Sequence, residues 1–368
     1  MRYECSEESQ KKQYRYKMKI NFNINTLIRE NIKQLKPYAS ARSEFADVTK
    51  DMIYLDANEN PFETGLNRYP DPQQLTLKGV LAAQKGLQVE NLLLGNGSDE
   101  VLDLIFRVFC EPNRDNVITM PPTFGIYNVL ANTNAIENRE VVLNTDFQPN
   151  IEAVLAVADK NSKILFICSP NNPTGNTIAA KNVETLLNSF SGLVVIDEAY
   201  IDFSSDESWL SRLEEFPNLI ITQTLSKAYG LAGVRLGICY ASKEIIAVLN
   251  KIKLPYNINE LTQQRALERV LKIKEVKKEI ITILIEKNNL LKELLKVSFV
   301  EKIYPSDANF MLVKVDDANK RYQQLLEKGI VLRNRTTQRL LENCIRITVG
   351  TVEENKKLLK ALLLISKC

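Results

Sequence analysis

From about residue 90, short apolar runs alternate with amphipathic stretches, and this alternation limits the chain to few folds. "NLLLGNG", "NVITM", "KILFICS", "LVVIDEA", "LIITQTLS" and "LGICYA" read as strands, with helical patterns between several of them. Strands interleaved with helices predict an α/β domain around a mainly parallel sheet flanked by helices. Residues 259–297 contain no Gly or Pro and a dense Leu/Ile/Lys/Glu mix, which predicts one long helix leaving that domain. After Pro305 come strand-like "NFMLVKV", a helix near "ANKRYQQLLEKG", then "GIVLRN", "CIRITVG" and a final helix. A smaller α+β domain is expected there, joined by the N-terminal segment. The expected division is an extension without fixed structure over 1–17, an arm and part of the small domain over 18–60, a large domain over 61–258, the connecting helix over 259–297, and the small C-terminal domain over 298–368.

A chain of 368 residues agrees with two domains. A formal charge of +3 calls for neither nucleic acid nor an acidic membrane as partner. No apolar run approaches the length of a membrane span, and residues 1–17 lack the apolar core of a signal peptide. The six cysteines are scattered, with no CxxC pair and no metal-like spacing, as expected of reduced thiols in a cytoplasmic protein. The absence of histidine narrows the chemistry further. It removes Ser-His-Asp hydrolysis and histidine metal sites, so catalysis must rest on lysine, tyrosine, carboxylates, cysteine or a cofactor. No metal is expected.

"TLSKAYGLAGVRLG" (Thr224 to Gly237) is the most specific segment. A lysine held near a carbonyl and shielded from water forms Schiff bases, which suits Lys227. Arg235, eight residues on, presents a planar fork to a phosphate. "LVVIDEAYIDF" places Asp197 at the carboxyl end of a buried strand, where parallel sheets carry functional side chains. A carboxylate there would keep a pyridine nitrogen protonated, with Tyr200 turned to the same ring. Read alone, the acids of this string fit local capping equally well. "CSPNNPTGN" is strong turn chemistry, and alone it reads as a loop; its functional reading has Asn172 facing a ring oxygen. In "LLLGNGSDEVLDLIFRVF", Gly97, Ser98 and Asp99 open a helix, where free N–H groups and the helix dipole favour an anion. "PPTFGIY" offers Phe124 as a stacking ring, although an aromatic beside Pro-Pro is more often core. Together these residues meet four needs of one cofactor: aldehyde, ring nitrogen, ring oxygen and phosphate.

In this order the motifs resemble the fold-type I pyridoxal 5′-phosphate enzymes, and within them the histidinol-phosphate aminotransferases. The resemblance runs from about "NIKQLKPYASARSEF" to the C-terminus, and "LDANENPFE", "NRYPDPQ", "GNGSDE", "PPTFGIY" and "IRITVGT" carry its specificity. It implies Lys227 as the Schiff-base lysine, Asp197 on the pyridinium nitrogen, and Asn172 and Tyr200 on the ring hydroxyl. It further implies Ser98, Asp99, Ser226 and Arg235 as the phosphate cradle and Phe124 as the stacking ring. Family members often carry tyrosine at the Phe124 position; phenylalanine keeps the stack and loses a hydroxyl. Tyr69 in "NRYPDP" corresponds to a residue that reaches into the neighbouring subunit's site, which implies a homodimer. Arg333 and Arg346 match the family's substrate-binding arginines, suited to a phosphate monoester in one half-reaction and a dicarboxylic acid in the other. The implied activity is reversible amino transfer between L-histidinol phosphate and 2-oxoglutarate, in histidine biosynthesis. An aromatic aminotransferase, or a decarboxylase of O-phosphorylated amino acids, shares the same cofactor motifs. A non-catalytic regulator would need a DNA-binding segment that residues 1–17 are too short to supply.

Overall fold

Two sheets organise the chain in a computed structural model, which describes residues 22–38 and 53–366. The larger sheet has seven strands: β1 (Leu92–Asn96), β2 (Asn116–Thr119), β3 (Glu137–Glu140), β4 (Ser162–Cys168), β5 (Leu193–Asp197), β6 (Leu219–Thr224) and β7 (Leu236–Ala241). Their spatial order is β1-β7-β6-β5-β4-β2-β3. β6, β5, β4, β2 and β3 run parallel, whereas β7 lies antiparallel to both β6 and β1. The fold is therefore α/β with a mainly parallel sheet, as the alternation predicted.

Helices cover both faces of this sheet, which explains the long apolar runs within its central strands. Along β5, Val194 and Ile196 enter one core while Leu193 and Val195 enter the other. β4 divides the same way, with Leu165 and Ile167 against Ile164, Phe166 and Cys168. A strand has period two, so a strand buried on both faces must be apolar throughout. β3, with the sequence ENRE, is the exception. It pairs with β2 alone at the sheet edge, so its side chains reach solvent and no apolar run announces it.

The smaller sheet orders β10 (Arg333–Asn334), β11 (Cys344–Thr348), β9 (Phe310–Val315) and β8 (Val300–Ile303), all antiparallel. Its core takes Met311, Val313, Ile345 and Ile347 from the strands and Leu358 and Leu362 from the last helix, Val352–Ile365.

Two expectations need correction. The segment over 259–297 is not one helix but two, Glu260–Leu271 and Ile273–Leu294, broken at Lys272. No Gly or Pro causes the break; tertiary contacts do. Gln84 donates to the Val270 carbonyl (2.8 Å) and Arg269 to that of Tyr229 (2.8 Å), which holds the first helix on the large domain. The second helix starts on that domain's core with Val276 and buries Leu290 and Leu294 in the small-domain core at its far end. The N-terminal segment also does not join the small domain where it is described. Leu27, Ile28 and Ile32 pack into the large-sheet core, and Arg29 N–H donates to the Val108 carbonyl (3.0 Å) while its guanidinium pairs with Glu111 (3.1 Å). The extension over 1–17 lies outside the described residues, as do Cys5 and Cys368. Cys110, Cys168, Cys239 and Cys344 are buried free thiols. No helix among the described residues is long and apolar enough to cross a membrane.

Two buried lysines sit together beneath the Asp71–Pro72 turn. Lys253 Nζ donates to the Pro72 carbonyl (2.9 Å), and burial first, then Lys253, push the Lys78 ammonium down to about 8. A lysine whose folded pKa is depressed binds more protons unfolded than folded between the two values, so stability rises with pH across that window. Lys78→Met removes this contribution. The stability advantage of Lys78→Met over the wild type is expected to shrink as pH rises from 7 to 9.5, measured by thermal melts of both proteins side by side. A gap that stays constant with pH would show that Lys78 titrates alike in the folded and unfolded chain, with no depression by burial.

Candidate active site

The carboxyl ends of the parallel strands converge on one side of the large sheet, and the loops leaving them frame a cavity of about 510 Å³. That volume is ordinary for a small-molecule site. Ser98, Asp99, Phe124, Asn172, Asp197, Tyr200, Ser226, Lys227, Arg235, Arg333 and Arg346 all line it, although they span nearly 250 positions of the sequence.

Asp197 ends β5 and is almost fully buried. Tyr127 Oη donates to its Oδ2 (2.8 Å) and the Ala199 N–H to its Oδ1 (3.2 Å). Burial pushes the carboxyl pKa up, and these hydrogen bonds oppose that shift without cancelling it. A buried carboxylate without a cation is costly, so the position suits a group that presents a positive N–H. Tyr127 itself is fully enclosed, stacked on Phe166 (4.7 Å between centroids) and met edge-on by Phe124 (5.7 Å). Tyr127 stands three residues beyond Phe124 in "PPTFGIY", on the first turn of the Ile126–Thr133 helix, and nothing in that motif alone marks it as a partner of Asp197.

Lys227 lies in the turn that follows β6, with its Nζ 5.6 Å from the centre of the Tyr200 ring. Burial, and then the Arg346 guanidinium, lower its pKa, which favours the neutral amine a nucleophile needs. Tyr200 is buried and packs edge-on to Phe310 of the small sheet (5.1 Å). Burial pushes its phenol pKa up, so the hydroxyl keeps its proton as a hydrogen-bond donor. Asn172 is also buried, and its Oδ1 accepts from Arg346 Nη1. The asparagine follows β4 in the large domain and the arginine lies on β11 in the small one, so this bond ties the two across the cavity.

At the other end the Ser98–Phe109 helix begins at Gly97, whose φ of +81° is left-handed. No side chain caps it, which leaves first-turn N–H groups free for an anion. The space beside the helix start exists only because two glycines leave it open. A Cβ on Gly97 would lie 2.6 Å from Arg235 Nη2, and one on Gly237 would lie 2.2 Å from the Ser98 nitrogen. Arg235 bends over the helix start in a left-handed conformation (φ +58°) and meets Asp99 Oδ2 (3.3 Å). The Thr224 hydroxyl donates to Ser226 Oγ (3.0 Å) and accepts from the Ser226 N–H (3.2 Å), fixing that serine on the same side. The donor set is what a phosphate dianion requires.

The far wall is built from the small domain. Arg333 and Arg346 face each other across β10 and β11, and Arg335 and Gln338 line the cavity beside them. Arg335 was not anticipated, yet a signal existed: in an extended strand, residues two apart share a face, so an arginine two after Arg333 points the same way. Tyr69 does not line this cavity. It stacks on Tyr256 (4.5 Å) at a second cavity with Asn58, Glu59 and Arg68, and is half exposed.

The residues present fit pyridoxal phosphate. A buried carboxylate, a lysine with a lowered pKa and a helix start kept open by two glycines stand around a single cavity, together with an asparagine amide. Comparison with known proteins agrees. The family model for aminotransferases of class I and II matches residues 18–362. A histidinol-phosphate aminotransferase from Flavobacterium johnsoniae is 64% identical over 94% of this chain and 99% of its own length. One from Christiangramia forsetii is 60% identical over 93% and 97%. Among solved structures, the histidinol-phosphate aminotransferase from Sinorhizobium meliloti in complex with pyridoxal-5′-phosphate superposes with a TM-score of 0.75, at 25% identity, covering 82% of this chain and 83% of that one.

Proposed function

The chain belongs to the aminotransferases of class I and II, and from that premise we propose that it transfers an amino group reversibly between L-histidinol phosphate and 2-oxoglutarate, in histidine biosynthesis. Its cofactor is pyridoxal 5′-phosphate. One observation carries the choice of substrate. The wall opposite the cofactor residues is a cluster of arginines, Arg333 and Arg346 foremost, suited to a distal phosphate or carboxylate and not to a neutral side chain.

When bound, the cofactor supplies an aldehyde to accept the amine and a ring that takes up electrons. Lys227 Nζ would bond the cofactor aldehyde and move the proton released from the substrate carbon that bears the amine, acting first as base and then as acid. Asp197, held by Tyr127, keeps the ring nitrogen protonated. Tyr200 and Asn172 orient the ring hydroxyl, and Phe124 covers the ring face. Gly97, Ser98, Asp99, Ser226 and Arg235 hold the cofactor phosphate at the helix start. Arg333 and Arg346 bind the distal anion of either substrate.

The active unit in this reading is a homodimer in the cytoplasm. Ile53, Leu55 and Phe62 are each more than three-quarters exposed, and Leu66, Tyr69, Leu254 and Leu261 are more than half exposed on the surface around the second cavity. Apolar exposure on this scale marks an interface. Tyr69, outside its own cavity, would enter the partner's.

Titration of the purified, cofactor-loaded protein with L-histidinol phosphate is expected to bleach the visible cofactor band, and 2-oxoglutarate to restore it. If only an aromatic amine bleaches the band, the cofactor site stands and the substrate assignment falls. Carbon dioxide release without amine transfer would instead identify a decarboxylase.

A further inference from the structure

The arginine cluster carries more charge than one carboxylate requires. Arg333 and Arg346 are direct cross-strand partners, and like charges placed opposite one another destabilise a sheet. Arg335 continues the same edge, its N–H donating to the Cys344 carbonyl (2.8 Å), so its side chain falls on the face of Arg333. The three are not equally provided for. Arg346 has Asn172 as partner and lies over the Phe310 ring (5.1 Å), and Arg333 reaches solvent. Arg335, half-buried, has no such partner: its Nε is buried without a hydrogen bond, as is that of Arg346, and the Gln338 Oε1 beside it is likewise buried and unpartnered. A buried, unpaired guanidinium N–H is costly, and the cost persists only where something outside the chain relieves it. Burial, then Arg346 and Arg333, lower the Arg335 pKa to about 10, which reports the same crowding of positive charge.

We propose that Arg335 completes, with Arg333 and Arg346, a three-guanidinium subsite that takes the phosphate dianion of the amine substrate and sets its preference over the dicarboxylic acid. The inference rests on the proposed function and deepens it. A carboxylate carries one charge on two oxygens and is saturated by a single guanidinium fork. A phosphate monoester carries about −1.5 to −2 at neutral pH on three terminal oxygens, enough to engage a further fork. The third arginine therefore favours the phosphorylated substrate, while the carboxylate gains little from it.

The test uses the cofactor-loaded protein carrying Arg335→Gln or Arg335→Lys, with inorganic phosphate as a probe of the subsite. A hydrogen bond to a charged group is worth about 1.5–3 kcal/mol, or roughly 10- to 150-fold. In R335Q the ratio of kcat/KM for histidinol phosphate to that for glutamate is expected to fall about tenfold or more, and the inhibition constant of inorganic phosphate to rise by a similar factor. R335K, which keeps the charge but not the fork, is expected to recover part of both. The inference is overturned if the ratio and the phosphate constant stay within twofold of wild type, or if both substrates weaken equally, the mark of a structural role. Should R335Q fail to fold, R335K decides: wild-type values for both quantities would sink the idea. If the wild-type protein does not turn over histidinol phosphate, the proposed function fails. Phosphate binding, measured directly by calorimetry, then reports on the subsite separately.

Discussion

Replacing Lys227 by alanine is expected to abolish the visible absorption of the covalently held cofactor and to lower turnover by about 10⁴-fold, the upper end of what a positioned general base supplies. Lys227 is the lysine of the cavity wall and lies in the turn after β6. Burial lowers its pKa, so the amine is available both to bond the cofactor and to move the proton afterwards. Single-turnover kinetics separate the two roles. Supplying the variant with cofactor already carrying the amino group bypasses the bonding step and leaves only the proton transfer to be measured. A variant retaining more than a hundredth of the wild-type rate would show that another group moves the proton.

Asp197→Asn is expected to cost about 10²–10³ in kcat, comparable to the loss of one preorganised electrostatic partner. The substitution keeps the shape and the hydrogen bond from Tyr127, and removes the charge opposite the ring nitrogen. Cofactor should remain bound, because the phosphate cradle at the Ser98–Phe109 helix is untouched. Absorption spectra of the loaded variant establish retention, and steady-state rates give the loss. A rate within tenfold of wild type would mean that the ring nitrogen needs no carboxylate here. The effect must be electrostatic to be this large, since the carboxylate is buried where water cannot screen it.

Much of this arrangement is written locally. β4 and β5 are buried on both faces and therefore read as unbroken apolar runs. Asp197 could be placed because it ends such a run, and Ser98 because it follows a glycine turn and opens an amphipathic helix. β3 could not be recognised, because an edge strand facing solvent needs no apolar residues. The break at Lys272 was invisible for a different reason. It comes from Gln84 and Tyr229, distant in sequence, which hold the end of the first helix, and none of that is encoded at the break itself.

The site divides along the same line. Residue type and local setting determined which side chains can do the chemistry: a lysine after a strand, a carboxylate at a strand end, arginines borne on strands. Which of them meet was decided by the tertiary structure alone. Tyr127 reaches Asp197 across 70 positions, and Arg346 reaches Asn172 across 174. Arg335 lies between these cases: period two put it beside Arg333, but only packing left its Nε buried and unpartnered. Local sequence sets conformation through φ/ψ and burial preference, which act over a few residues. A catalytic cavity needs contacts between distant segments, and only the folded chain brings those together.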